Sequence, residues 1–354
     1  MGKQTKNILI VTPSFKIIGG VANHFMGLSH YWKNHIYYSF IGKRPHLHAI
    51  FTIFPDFIAF IYKLIFHKID IVIVNPSLRR YQLNRDSLFV LIAQLFRKKV
   101  VTMIHGWDFS VANKLKNNPK WFRRTFGKSA FIYVLCRQFQ LALQEISPKT
   151  PVLLTTTKVS DELLDGFDIN SRTGHVQQIL FLARIEKTKG IDIAIATFQL
   201  LQTKYPHLRL SVCGSGTALK DAISTVAKNN INGIDFHGNI SGEALKTQFR
   251  ESQLYVLPTY EEGMATSVLE AMAFGLPIIS RPVGGIVDFF QMGEMGELTH
   301  SFNPIDYAKI IERYISNPEL TRHTAFINHK YAIENFLASQ VTKKFEFDIS
   351  KYIN

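Results

Sequence analysis

Short, unbroken apolar runs alternate along this chain with longer stretches in which apolar positions return every three or four residues. The runs are Ile8–Val11, Ile71–Val74, Val100–Ile104, Phe131–Leu135 and Pro151–Leu154, then Gln178–Ile185, Leu208–Cys213, Ile234–His237, Leu254–Leu257 and Pro277–Ser280. Runs of this length, rich in Val, Ile and Leu, predict strands buried on both faces. Helical spacing fills the intervals, as over Val21–Trp32, Arg85–Phe96, Gln138–Ile146, Ile191–Lys204 and Thr217–Asn229. Strands alternating with helices predict parallel sheets with right-handed crossovers, an α/β class.

The alternation falls into two similar halves, and 354 residues accommodate two cores of roughly 150–180 residues each. Between them, Asp165–Val176 holds Gly166, Asn170, Ser171 and Gly174 with little apolar pattern, which predicts a linker. The expected domains are residues 1–168 and 172–334, followed by a terminal helix at 335–354 within a helical pattern from about Tyr331 to Tyr352. Two doubly wound, Rossmann-like domains of this kind would face one another across a cleft.

One apolar stretch departs from the scheme. Ile50–Phe66 contains Pro55, Asp56 and Lys63, interruptions that argue against a membrane span. It predicts a helix from about Pro55 to His67, apolar over much of its circumference. Such a helix either lies buried against the sheet or dips into a membrane surface.

Charge sharpens the picture because it is unevenly placed. Residues 1–165 hold 23 Lys and Arg against 8 Asp and Glu, whereas residues 166–354 hold 18 against 19. The positive excess clusters at Lys43-Arg44, Arg79-Arg80 with Arg85, Arg97-Lys98-Lys99, and Lys114 through Lys128. The last cluster sets Lys120, Arg123 and Arg124 around Trp121 and Phe122. A basic, aromatic-studded surface suits an anionic membrane. No helix-turn-helix, zinc-finger or RNP-like pattern supports nucleic acid. Cys136 and Cys213 lie far apart without ligand spacing, so neither a disulfide framework nor a zinc site is expected, in keeping with a reducing cytoplasm. No signal-peptide pattern precedes the first strand, and Gly2 lacks the Ser or Thr of a myristoylation site. The expected location is therefore cytoplasmic, peripheral on the inner face of the cell membrane.

The chemistry concentrates at residues 259–277. Glu262 and Glu270 stand eight positions apart across a turn that enters a helix, with Thr266 or Ser267 as the expected N-cap and Gly275-Leu-Pro277 ending it. Glu262 falls on the loop past a strand's carboxyl end and Glu270 in the expected first helical turn, where open α/β sheets bind ligands. A second interpretation of Ser267-Val-Leu-Glu270 is a capping box, in which Glu270 only satisfies the helix end.

Glu262-Gly263, Glu270-Ala-Met272 and Gly275-x-Pro277 together resemble the Glu-x7-Glu signature of retaining glycosyltransferases of family 4, which have the GT-B fold. The resemblance implies that Glu270 accepts hydrogen bonds from the donor ribose. Glu262 would hold sugar hydroxyls, with the backbone of Gly263, Met264, Ala265 and Thr266 close to the donor. Met264-Ala265 stands where the family often has Phe-Gly, a departure that bears on donor-sugar preference. Phe181-Leu-Ala-Arg184 through Lys189-Gly190 matches a second family pattern, in which Arg184 and Lys189 reach the diphosphate. Lys187 is close enough to serve instead. Two cations there would stabilise the leaving group without a metal, and the sequence has no Asp-x-Asp motif.

Other candidates carry weaker signals. Gly19-Gly20 before a helix offers N–H groups and a positive dipole end to a phosphate; the resemblance places them beside the donor diphosphate. Gly214-Ser-Gly216 begins like a dinucleotide fingerprint, but Leu219 stands where its third glycine belongs, which disfavours a nicotinamide enzyme. In the family such a Gly-x-Gly lies near the nucleotide. His105 follows a strand, and the resemblance has it touch the donor sugar, with Asp108 orienting it or binding acceptor. Gly284-Gly285 matches a family Gly-Gly at the sugar-phosphate edge. In the family the final helix often crosses back to the first domain.

The expectation is a metal-independent hexosyltransferase taking a nucleotide sugar, a UDP-sugar favoured, without cofactor. Its acceptor would be a glycan or polyprenyl-diphosphate-linked glycan, in polysaccharide assembly of O-antigen, capsule or lipopolysaccharide type. The alternatives are an inactive GT-B protein binding membrane or a partner through its basic half, and a sugar epimerase or phosphorylase. A glycosidase ranks low, because Glu262 and Glu270 belong to a nucleotide-binding scaffold rather than flanking one bond.

Overall fold

The computed structural model describes residues 5–17, 19–42, 49–291 and 293–353. Contacts divide the chain into two compact units, residues 1–158 with 338–354, and residues 159–337. The Lys43-Arg44 cluster and Gly2 lie outside the described residues.

The first unit runs β1 (Asn7–Pro13), α1 (Gly20–Leu28), β2 (His35–Ile41), α2 (Ala49–Phe66), β3 (Ile71–Val74), α3 (Arg80–Leu95), β4 (Lys99–Ile104), α4 (Phe109–Asn117), α5 (Lys120–Arg124), β5 (Phe131–Val134), α6 (Arg137–Ile146) and β6 (Val152–Leu154). Among the described residues its six strands form one parallel sheet in the order β2-β1-β3-β4-β5-β6. The aliphatic runs are central strands, and every residue of β3 and β5 is buried. The edge strand β2, HIYYSFI, has no continuous aliphatic run and does not stand out in the sequence pattern.

The second unit runs β7 (Gln178–Leu182), α7 (Ile191–Gln202), β8 (Arg209–Cys213), α8 (Leu219–Lys228), β9 (Ile234–Gly238), α9 (Gly242–Glu251), β10 (Leu254–Leu257), α10 (Thr266–Ala273), β11 (Ile278–Ser280), β12 (Gly296–Leu298), α11 (Pro304–Ser316) and α12 (Pro318–Asn335). Its sheet is also parallel, ordered β12-β11-β10-β7-β8-β9. The last helix, α13 (Ala338–Tyr352), belongs to the first unit. The single helix expected from about Tyr331 is thus two helices, parted at Phe336-Leu337. There Val159 donates to the Phe336 carbonyl at 2.8 Å and bridges to Leu337. Within the first unit α13 is tied by Tyr133, whose hydroxyl donates to Asp348 at 2.7 Å, and by Glu346, which accepts from Asn34 N–H at 3.0 Å.

The segment 165–176 is not a linker. It lies inside the second unit, and the contact boundary falls at Lys158/Val159. Its Arg172 is buried, and the guanidinium donates to the carbonyls of Phe249, Arg250, Ser252 and Phe274. One cation thereby closes the ends of α9 and α10. Burial lowers its pKa to about 10, which leaves it charged at neutral pH.

Strand order fixes where ligands can sit. In the first sheet the chain passes from β1 out to β2, then returns to β3 on the other side of β1. In the second it runs β7, β8, β9 and then crosses to β10 beyond β7. These reversals open a crevice at the carboxyl ends of β1/β3 and of β7/β10, the switch points at which open α/β sheets bind ligands.

Candidate active site

The β7/β10 switch point gathers the residues singled out by the sequence. The loop after β7 carries Arg184, Lys187 and Lys189, and the loop after β10 carries Glu262. Lys189 reaches across, with its ammonium 2.6 Å from Glu262 Oε1 and 3.2 Å from the Glu261 carbonyl. Both side chains are largely shielded, at 13% and 17% exposure. Lys187 and Arg184 are exposed at the same loop. Thus Lys189, not Lys187, pairs with the carboxylate, and Arg184 keeps its charge to solvent.

Glycines hold these loops at close range. Gly190 follows Lys189 with φ of +76°, and a Cβ there would lie 2.3 Å from the Pro258 carbonyl oxygen. Gly214 and Gly216 press on the β7 loop, where a Cβ would fall 1.9 Å from Ala183 O and 2.3 Å from Ile185 O. Their structural work is backbone packing: the Ile185 N–H donates to Ser215 O at 3.0 Å, and the Ala218 N–H to Ile185 O at 2.9 Å. Glu186 completes the brace by accepting from the Thr217 hydroxyl and N–H, bonds that keep its carboxyl below the usual range.

The Glu262 loop is held from its other side. Gly285 N–H donates to Gly263 O at 2.7 Å. Gly284 has φ of +61°, and a Cβ there would meet Glu262 O at 2.4 Å and Gly263 O at 2.6 Å. Met264 and Ala265 are half-buried, lining with Thr259, Glu262 and Val268 a small recess beside the carboxylate.

The expected N-cap of α10 is corrected by the structure. The cap is Ala265, with φ of −73° and ψ of 105°, and no side chain caps the helix. Ser267 instead lies 2.7 Å from the buried Tyr255 hydroxyl, which also donates to Leu182 O at 2.9 Å. Because the helix starts at Thr266, Glu270 falls in its second turn rather than its first. The capping-box interpretation therefore fails, since Ser267 is turned inward to Tyr255. The leading N–H groups of α10, at Thr266 and Ser267, open beside Glu262 as a helix N-terminus.

In the first unit, Gly19 is the N-cap of α1 and Gly20 its first residue; a Cβ on either meets nothing within 4 Å. The helix end is therefore open to solvent or ligand. His105 ends the β4 run, with Nε2 3.3 Å from Asn75 Oδ1, and Asn75 donates to Val11 O at 2.9 Å. Its ring packs edge-on against His24, centroids 5.4 Å apart, and against Phe25. Desolvation lowers its pKa to about 4, so the ring is neutral at neutral pH. His24 is buried and held well below the usual range by burial, then by His105 and Lys158. Among the described residues, neither ring nitrogen of His24 has a hydrogen-bond partner. Nothing in the linear pattern singles out His24.

Asp108 does not orient His105. It caps α4, accepting from Ser110 N–H at 2.8 Å and Val111 N–H at 3.2 Å, and its Ser110 bonds lower its pKa. In the expected membrane cluster, Lys120, Trp121, Arg123 and Arg124 are all exposed; Phe122 is buried, and Arg123 also donates to Ile146 O at 2.7 Å.

Residues 167–330 match the family model described as glycosyl transferases group 1. A D-inositol 3-phosphate glycosyltransferase of Streptomyces coelicolor is 29% identical over 152 residues, 40% of this chain and 33% of that protein. The amylovoran biosynthesis glycosyltransferase AmsK of Erwinia amylovora is 24% identical over 215 residues, 58% of this chain and 52% of AmsK. The matches therefore span a third to about half of these relatives. Among solved structures, a glycosyltransferase from Rickettsia africae superposes with a TM-score of 0.75 at 17% identity, covering 99% of each chain. HepE of Anabaena, solved in complex with UDP, gives 0.74 at 14% identity, covering 98% of this chain and all of HepE. These likenesses establish the GT-B fold, with its two Rossmann-like α/β domains.

Proposed function

We propose that this chain is a retaining, metal-independent glycosyltransferase that moves a sugar from a nucleotide donor, a UDP-sugar favoured, to a glycan or polyprenyl-diphosphate-linked acceptor. The observation that carries it is the Lys189–Glu262 pair at the β7/β10 switch point. The family match over 167–330 and the UDP bound by HepE support it. The setting we favour is cell-surface polysaccharide assembly, as the name of AmsK suggests.

In this reading Arg184 and Lys189 neutralise the diphosphate as the bond from the anomeric carbon to its oxygen breaks. The acceptor hydroxyl forms the new bond on the face being vacated, and its proton passes to the departing phosphate oxygen. Glu262 holds sugar hydroxyls, and Glu270 the ribose. His105, neutral at its desolvated site, is suited to hydrogen-bond the sugar rather than to carry charge. An inactive relic finds no support, because residues 167–330 match the glycosyl transferase group 1 model and the chain keeps Arg184, Lys189, Glu262 and Glu270.

The test is a thermal-shift screen against UDP, GDP, ADP, CMP and dTDP with their sugar donors, with and without EDTA. A ligand at 100 times its Kd stabilises the fold by about 2.7 kcal/mol. One nucleotide should give that shift, undiminished by EDTA. No shift with any would overturn the donor-site assignment; a shift abolished by EDTA would overturn metal independence.

A further inference from the structure

The helix α2 is amphipathic with its faces reversed. Besides Tyr62, its polar side chains in the described part are Thr52, Asp56 and Lys63, and all three point inward. Thr52 donates to Gly42 O at 2.9 Å, Asp56 accepts from Gly42 N–H at 2.8 Å, and the Lys63 ammonium donates to the Tyr38 carbonyl. They tie α2 to β2 and the residue that follows it. The outward face carries Phe54, Ile58, Tyr62, Ile65 and Phe66, with Phe54 74% and Phe66 65% exposed. At helical spacing these positions fall within an arc of about 120° that contains no charge.

The neighbouring helix continues the pattern. α3 packs on α2 through Phe89, whose ring stacks on Phe57 at 4.3 Å and meets Phe60 edge-on at 5.0 Å. Its own exposed residues include Tyr81, Leu88, Leu91 and Leu95, the last 80% exposed. Exposed cations stand at the helix ends: Lys68 after α2, Arg80 opening α3, and Arg97 and Lys99 beyond it. None of these four is in an ion pair among the described residues. Exposed apolar area on two adjacent helices is costly in water, and single scattered residues do not explain it.

We propose that the α2–α3 face docks on an anionic lipid bilayer, with the α2 stripe lying in the headgroup–acyl boundary and the terminal cations on the headgroups. The charge balance selects this occupant. Residues 1–165 carry 23 basic against 8 acidic residues, so a two-fold contact with a second copy would press like charges together. An anionic surface attracts the same cations and takes up the apolar stripe. Among the described residues no helix is long and apolar enough to cross a membrane, so the contact is peripheral. This face, not the Lys120–Arg124 segment with its buried Phe122, holds the lipid contact. The proposal deepens the lipid-linked acceptor of the proposed function and rests on that reading for its purpose, but donor binding is measured apart from it.

The experiment is flotation of the full chain with vesicles of phosphatidylglycerol and phosphatidylethanolamine, or of phosphatidylcholine alone, with sedimentation velocity and nucleotide thermal shift run in parallel. The unaltered chain should float with anionic vesicles, at least tenfold less with phosphatidylcholine or in 0.5 M salt, about the scale expected for several headgroup contacts. The double substitution Ile58→Asn with Ile65→Asn should reduce flotation at least a hundredfold, taking about 1.4 kcal/mol as each tenfold, with the nucleotide shift retained. Should that pair fail to fold, Leu95→Asn and a fluorophore on Tyr62→Cys replace it; the label should shift to the blue on anionic vesicles. Unchanged flotation of the variants, an unshifted label, or a dimer abolished by the same substitutions would overturn the proposal. A lost nucleotide shift in the unaltered chain would count against the donor site alone.

Discussion

Replacing Glu262 by Gln separates the two tasks assigned to this loop, because they respond with opposite sign. In the ligand-free protein the Lys189 ammonium lies 2.6 Å from Glu262 Oε1, in a largely shielded pair. At an effective dielectric of about 20, unit charges 4 Å apart attract by about 4 kcal/mol; partial exposure leaves about 1–2 kcal/mol as the net coupling. On the proposed function, a bound diphosphate would compete with Glu262 for this same ammonium. Removing the carboxylate charge therefore frees Lys189 and removes a repulsion, so UDP alone should bind about fivefold tighter, roughly 1 kcal/mol.

Transfer should move the other way. Hydrogen bonds from sugar hydroxyls to an ionised carboxylate contribute about 1.5–3 kcal/mol each. Losing the charge on two of them removes about 3–5 kcal/mol from the transition state, a fall of about 10²–10⁴ in kcat/KM. Lys189→Met should instead weaken UDP by at least about tenfold, an ammonium–phosphate contact being of the charge-assisted class. Calorimetric titration of UDP and a radiolabelled transfer assay read the two effects on the same preparations. If Glu262→Gln weakens UDP as much as Lys189→Met does, or transfers within threefold of the unaltered chain, Glu262 does not hold the sugar.

Two further outcomes follow from the geometry. Gly284→Ala places a methyl 2.4 Å from the Glu262 carbonyl at a φ of +61°; it should cost about 1–3 kcal/mol in thermal stability and at least about tenfold in transfer, and a fully active, undiminished variant would show that the loop yields freely. The buried histidines predict acid sensitivity: His105 has its pKa lowered to about 4 and His24 is lowered too, so the unfolded chain takes up protons first. Their stabilising effect is complete above an unfolded pKa near 6.5 and is lost as pH falls towards 4, about 2 kcal/mol for His105 by pH 5. Urea midpoints between pH 8 and 5 should fall accordingly and flatten in His105→Asn, whereas parallel profiles would remove the assignment.

The placement of the candidate site in the second unit was legible because its residues lie in contiguous motifs at strand ends. Continuous runs such as Leu254–Leu257 locate the strand, and the loop beyond it brings Glu262 to the sheet edge. What the sequence could not show is which neighbour each polar group chooses. Ser267 three residues before Glu270 has the spacing of a capping box, yet the buried Tyr255 hydroxyl, twelve residues earlier in the chain, takes the serine. Arg172 hides in a stretch with linker composition, because a single side chain reaching four carbonyls leaves no trace in local periodicity. His24 was missed for the same reason: its significance comes from burial beside His105, a contact between helix α1 and the end of β4.

Helix α2 shows the limit in its sharpest form. A periodic sequence reports the angle between apolar and polar positions on a helix, but not which of the two faces the core. The usual inference that the apolar face is buried is right for Phe60 and Leu64, both buried. It fails for the larger stripe, because Thr52, Asp56 and Lys63 find backbone partners at Gly42 and Tyr38. Those partners offset the cost of turning polar groups inward. Burial lowers the Lys63 pKa, a sign that this arrangement is sustained against desolvation. With these polar groups bonded inward, the outward apolar face stays exposed among the described residues. That exposed face, rimmed by Lys68, Arg80, Arg97 and Lys99, is what the proposed bilayer contact rests on.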